Sequence, residues 1–126
     1  MSNPTSTAPT DTADAYIATW NETDAARRQA AIARVWAEGG SYRDPLMTSD
    51  GHAGIDAMVA GVQGRFAGFV MKRTSKVDSH NGSLRFGWSL GPASGPAVVE
   101  GVDFGTLGAD GRLASIVGFI DKMPTA

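Results

Sequence analysis

Two aspartates and a tyrosine stand in surroundings that would let them do proton chemistry. Asp44 immediately precedes Pro45, at the end of the short extended run 41–45. Proline keeps the residue before it out of the helical region, so Asp44 is expected to be extended or in a turn. There it serves either as a general base or acid, if apolar surroundings raise its pKa from about 3.9, or as the opening residue of an Asx-type turn. Asp103 lies between Gly101 and Gly105 in a strand-like stretch, where aspartate is disfavoured. It is either a buried carboxyl that binds a developing oxyanion or moves a proton, or a cross-strand partner for an arginine on an exposed face. Tyr16, in a first amphipathic segment, either donates a hydrogen bond into a cavity or packs in the core with its hydroxyl at the surface.

Around these three stand the candidates for a binding wall: Tyr42, Trp88, Trp20, Phe86, Val99 and Gly101. Tyr42 is two residues before Asp44 and so shares its strand face. Trp88 alternates with small and polar neighbours and is the best placed of the tryptophans, which otherwise read as core. Glycines at 101 and 105 remove bulk from the Asp103 face, which either opens a cavity or marks bends in a curled sheet. His80 falls in a hairpin turn, His52 in the loop after Asp44, and Arg27-Arg28 reads as a solvated helix face. The face of Asp121 is open.

The elements that must position these residues follow from periodicity. A Ser/Thr/Pro-rich tail, residues 1–10, precedes a single domain, residues 11–126. A first helix is capped by Thr10 or Asp11, and a second is opened by Asp24 and runs over 25–37 to a Gly39-Gly40 stop. A short strand ends at Asp44-Pro45, and a third helix covers about 55–66. The texture then turns to sheet: strands over 69–79, around 84–90, over 97–107 and over 113–121. They are joined by turns at His80-Asn81-Gly82-Ser83, 91–96 and Ala109-Asp110-Gly111. This order is an α+β layout, with helices packed on one curved sheet. The 97–107 and 113–121 strands are apolar on both faces, so a second subunit is expected over the outer one.

The bulk composition narrows the chemistry. With 126 residues, 42% hydrophobic, the chain is long enough to bury a core without staples. A net charge of -2 and no basic stripe argue against nucleic acid. The absence of cysteine removes disulfides, thiolate catalysis and thiolate zinc sites, and two distant histidines make a poor metal site. No apolar run reaches membrane length and no leader pattern opens the chain, so a cytoplasmic location is expected.

The segments Ala15-Tyr16-Ile17-Ala18-Thr19-Trp20-Asn21, Tyr42-Arg43-Asp44-Pro45 and Val99-Glu100-Gly101-Val102-Asp103-Phe104 resemble the ketosteroid isomerases and their nuclear transport factor 2-like superfamily. That superfamily includes the SnoaL-like polyketide cyclases and the limonene epoxide hydrolases. The resemblance spans nearly the whole chain. It implies a cone-shaped α+β barrel, with three N-terminal helices packed on a strongly curved antiparallel sheet and a pocket between the layers. It also implies Asp44 as general base, with Tyr16 and Asp103 as hydrogen-bond donors to the enolate oxygen and no metal or organic cofactor. Val59 stands where a supporting tyrosine would be expected, and Gly101 where the epoxide hydrolases need an arginine. Steroid substrates and epoxide opening are accordingly disfavoured. The expected ligand is a small hydrophobic carbonyl compound, and the alternative is a non-catalytic ligand-binding or dimeric interaction module of the same fold.

Overall fold

A computed structural model describes residues 8–124. Three helices come first: α1 (Pro9–Asn21), α2 (Ala25–Val35) and, after two strands, α3 (Gly51–Arg65). Seven strands make one sheet: β1 (Trp36–Arg43), β2 (Thr48–Asp50), β3 (Phe69–Arg73), β4 (Asp78–His80), β5 (Ser83–Pro92), β6 (Val99–Leu107) and β7 (Leu113–Lys122). The expected α+β cone is present. The sheet is open, in the order β2-β1-β7-β6-β5-β3 with β4 also on β5, and it is antiparallel except that β1 runs parallel to β7.

Element boundaries show where local physics ruled. α1 begins at Pro9 rather than at a Thr10 or Asp11 cap; proline's fixed φ suits the first helical position, where no N–H is needed. Residues 1–7 of the expected tail lie outside the described residues. Asp24 does cap α2, accepting from the Arg27 N–H at 2.9 Å. α2 ends at Val35, not Ala37, because the chain turns straight into β1 and Gly39-Gly40 falls inside that strand. The β1–β7 register shifts between Trp36 and Ser41, and a side chain at Gly40 would collide with the Trp36 ring. The glycines therefore make an irregular strand, not a helix stop. α3 opens four residues earlier than expected, at Gly51.

The expected strand over 69–79 is two strands, both paired with β5 and parted by residues 74–77. Ser75 Oγ there accepts from the Gly87 N–H at 2.8 Å, and Thr74 Oγ1 occupies space that a side chain on Gly87 would need. The Asn81-Gly82 turn has positive φ at both residues, 49° and 75°, the mirror-image turn whose twist suits a hairpin.

The helices cover the inner sheet face. Along β6, Val99, Gly101, Asp103 and Gly105 point in and are buried, while Phe104 on the other face is 39% exposed. On the neighbouring strand Phe119 is 55% exposed, so the apolar outer face read from the sequence is real. One surface expectation is reversed. Arg27 is solvated, but Arg28 is buried: its Nε donates to Asp56 Oδ1 at 2.6 Å and its Nη1 donates to Gln63 Oε1 at 3.2 Å, clamping α2 to α3. Among the described residues no helix is long and apolar enough to cross a membrane.

Candidate functional site

The inner face of β6 meets β7 at the pair Asp103–Gly118, and the site is built over that pair. The point where a Gly118 Cβ would stand is 2.8 Å from Asp103 Oδ1, 3.3 Å from Asp44 Cβ and 3.5 Å from the Tyr42 hydroxyl. The missing side chain is what lets the two carboxyl groups share one space. Asp44 reaches it from the turn after β1, where its N–H donates to the Met47 carbonyl at 2.9 Å.

Asp103 is 1% exposed. Tyr16 donates to its Oδ2 at 2.8 Å, and the Trp88 indole N–H donates to its Oδ1 at 3.0 Å. Trp88 can do this because position 101 is glycine: its ring lies where a Gly101 side chain would be. Among the described residues no cation is hydrogen-bonded to this carboxyl. Burial pushes its pKa up to about 7, against the lowering pull of the two donors and with a further push from the Asp44 charge. It thus holds its proton far above the ordinary carboxylate range. The same burial, aided by the Asp103 charge, raises the Tyr16 and Tyr42 phenols, which stay neutral donors.

Asp44 is half-buried and differently held. Its Oδ1 accepts from the Leu46 and Met47 N–H groups at 2.7 and 2.8 Å, and its Oδ2 accepts from the Tyr42 hydroxyl at 2.6 Å. The Asx-type turn foreseen for it is present, and the same turn places its carboxyl at the cavity. A carboxylate offers about four acceptor positions. Three are taken, and the fourth is on Oδ2.

Asp44 and Asp103 both line a cavity of about 80 Å³ whose wall includes Trp20, Tyr42, Trp88 and Val99, as the sequence suggested. Its remaining lining is apolar, and two of its members, Leu46 and Met123, are 64% and 44% exposed and rim the mouth. Tyr16 is not among the lining residues. It stands behind Asp103, in edge contact with Phe86 at 5.9 Å between ring centroids. Phe86 and Gly101 likewise support the wall without forming it. His52 is engaged away from the cavity with the Trp36 carbonyl at 2.8 Å, and His80 and Asp121 are exposed. Among the described residues no group of three or more His, Cys, Asp or Glu could hold a metal ion. Gly118 was missed because it sits inside the apolar run 116–120. A lone glycine in a strand, opposite an inward aspartate, was the available signal.

The fold has relatives among solved structures. A crystal structure from Agrobacterium tumefaciens, provisionally named an isomerase of the SnoaL-like family, is 37% identical. The match covers 87% of this chain and 94% of that one, with a TM-score of 0.84. The chain belongs to the SnoaL-like family. More distant likenesses show the fold alone. One is a provisionally named polyketide cyclase from Sinorhizobium meliloti (14% identity, 86% of this chain and 93% of that one, TM-score 0.67). Another is an NTF2-like protein from an Exiguobacterium species (17% identity, 87% and 98%, TM-score 0.69). No family model and no curated protein sequence matched. In this SnoaL-like protein Asp44, Asp103 and Tyr42, but not Tyr16, line the cavity.

Proposed function

We propose that this SnoaL-like protein is a cofactor-independent isomerase- or cyclase-type enzyme of the cytoplasm. It moves a proton beside the carbonyl of a small hydrophobic molecule. The observation that carries this reading is the pair of carboxyl groups across Gly118, one held by three donors and the other buried with a pKa near neutrality. Two carboxyl groups in unlike surroundings can divide the roles of base and hydrogen-bond donor between them. Asp44 Oδ2 takes the proton from the carbon next to the carbonyl, and the electron pair passes to the carbonyl oxygen. Asp103, protonated on Oδ1, donates a hydrogen bond to that oxygen as charge develops. Its Oδ2 is engaged by Tyr16, while Trp88 fixes the plane of the carboxyl. Where a double bond adjoins the enolate, return of the proton from Asp44 to its far carbon completes an isomerisation; attack of the enolate carbon on a second carbonyl of the same molecule closes a ring, with the proton from Asp44 passing to the oxygen of that carbonyl.

This assigns Tyr16 a place behind Asp103 instead of direct contact with the substrate oxygen. The cavity is small beside the several hundred cubic ångströms of ordinary ligand sites, so a ligand must be compact or displace the exposed Leu46 and Met123. Solvent-deuterium incorporation beside the carbonyl of small cyclic ketones, followed by proton NMR, tests the reading without knowing the natural substrate. Exchange above the buffer rate that falls at least a hundredfold in Asp44→Asn is expected (about 10²–10⁴ for a positioned base). Exchange indifferent to that substitution would remove Asp44 as base.

The non-catalytic module has one observation in its favour: Asp44 and Asp103 already have internal partners for most of their capacity. Absence of exchange for every ketone, with ligand binding retained, would decide for it. A homodimer through the outer face, with Phe104 and Phe119 at its centre, is the partner we propose. A one-protomer mass by light scattering at micromolar concentration would exclude it.

A further inference from the structure

The chain has two tyrosines, and each donates its hydroxyl proton to one of the two site carboxyl groups, Tyr16 to Asp103 and Tyr42 to Asp44. The second pair joins a loop to the sheet. Asp44 lies past the end of β1, in the turn that leads to β2, beside the exposed Pro45 and Leu46. Both donors to its Oδ1, the Leu46 and Met47 N–H groups, belong to that turn, and so does the Met47 carbonyl that accepts from its N–H. These bonds fix the carboxyl relative to the turn and would travel with it. Among the described residues the one hydrogen-bond partner of this carboxyl outside the turn is the Tyr42 hydroxyl, 2.6 Å from Oδ2.

Tyr42 itself is held on every side. Its backbone sits between Ser49 of β2 and Ile116 of β7. Its side chain is buried, with the ring tilted against Trp20 at 5.8 Å between centroids. The strand that carries Asp103 is paired to β7 in turn, so the phenol ties a carboxyl on a loop to the framework that holds the other carboxyl. Sites keep their geometry when rigid elements, and not loops, set it.

We propose that Tyr42 is a positioning residue: its hydroxyl holds Asp44 Oδ2 in place beside Asp103 and leaves that oxygen one acceptor position for the ligand's proton. The inference rests on the enzyme reading for what that acceptor position does.

Deuterium exchange into a small cyclic ketone, measured for the wild type, Tyr42→Phe and Asp44→Asn, tests it. In Tyr42→Phe kcat is expected to fall about ten- to a hundredfold, the effect of a lost hydrogen bond to a charged group and of a base displaced by a fraction of an ångström. KM is expected to hold, because the ring stays in the cavity wall. A kcat that is unchanged or higher overturns the proposal. Exchange that falls in Asp44→Asn but not in Tyr42→Phe leaves the enzyme reading standing and removes this one. The hydroxyl proton of Tyr42 gives a second readout by NMR that needs neither turnover nor a folded Tyr42→Phe. A low-field resonance in the wild type that moves upfield in Asp44→Asn, where a neutral amide replaces the charged acceptor, supports the tie. No such resonance, or one indifferent to that substitution, refutes it. If the wild type exchanges no ketone, the enzyme reading is lost and the resonance alone decides whether Tyr42 holds Asp44.

Discussion

Two charged-type side chains are buried among the described residues, Arg28 and Asp103, and they are buried in opposite ways. Between α2 and α3, the Arg28 Nε donates to Asp56, and its Nη1 donates to Gln63 and to the Glu22 carbonyl. On the inner face of the sheet, Asp103 has only the neutral donors Tyr16 and Trp88. The first group keeps its charge because an opposite charge replaces water. The second, lacking a cation, keeps a proton instead. Burial with a counter-charge makes a clamp; burial without one makes an acid whose protonation changes near neutral pH. Only the second lines the cavity.

The strongest check on this contrast is the pH dependence of stability. Asp103 has a folded-state pKa of about 7, above the ordinary 3.8, so the folded chain holds a proton that the unfolded chain gives up. Its contribution to stability is whole below about pH 3.8 and is lost as pH rises through about 7. At about 1.4 kcal/mol per pH unit this is on the order of 4 kcal/mol. Urea denaturation across that window is expected to show the decline in the wild type and a flatter profile in Asp103→Asn. The amide can still accept from Trp88 and donate to the Tyr16 oxygen. A wild-type profile with no decline would mean that Asp103 is not held protonated. The exposed, depressed carboxylates Asp78 and Asp110 titrate below this range and do not mask it.

Next in size is Arg28→Met, expected to cost about 3 kcal/mol at pH 7 by stranding Asp56. Its sign should oppose that of Asp103→Asn measured at pH 8, where the wild-type carboxyl is ionised and unpaired by any cation. Equal signs would dissolve the distinction between clamp and acid. Trp88→Phe is smaller in stability, about 1 kcal/mol for a lost hydrogen bond. It should also raise the Asp103 pKa, because the indole N–H favours the ionised form. The alkaline limb of the deuterium-exchange profile is therefore expected to move to higher pH, and a downward move would contradict the role given to Trp88. Smallest is Arg85→Ala, which removes a solvent-exposed ion pair with Asp78; the denaturation midpoint should not move measurably.

What could be read in the chain and what could not divide along a physical line. Period-two alternation and paired turn residues announced β5 to β7, and Asp103 between glycines announced an inward carboxyl. These are properties of one strand at a time. Arg28 reads as a solvated face because nothing in α2 alone reveals that Asp56 and Gln63 arrive from α3 to satisfy it. Trp88 was legible as a wall but not as the donor to Asp103, since that depends on Gly101 of the adjacent strand. Gly118 was hidden by its apolar neighbours, and the turn into β1 at Trp36 was hidden by a helical pattern that ran two residues too far. Each miss concerns a partner brought from elsewhere in the chain.

The parallel pairing of β1 with β7 has a consequence for the order of events when the molecule forms. Asp44 follows the first strand, while Gly118 belongs to the last, and Tyr42 stands opposite Ile116 across the pairing. During synthesis the helices and the β5–β6 hairpin can gather through nearby contacts, but the two carboxyl groups cannot be brought to their shared space until the final strand slots in beside the first. Contacts of such long sequence separation form slowly. The cavity is thus a late product of folding, and a bound ligand that bridges Asp103 of β6 and Asp44 after β1 would close over β7, which lies between those strands, protecting the amide hydrogens of β7 from exchange.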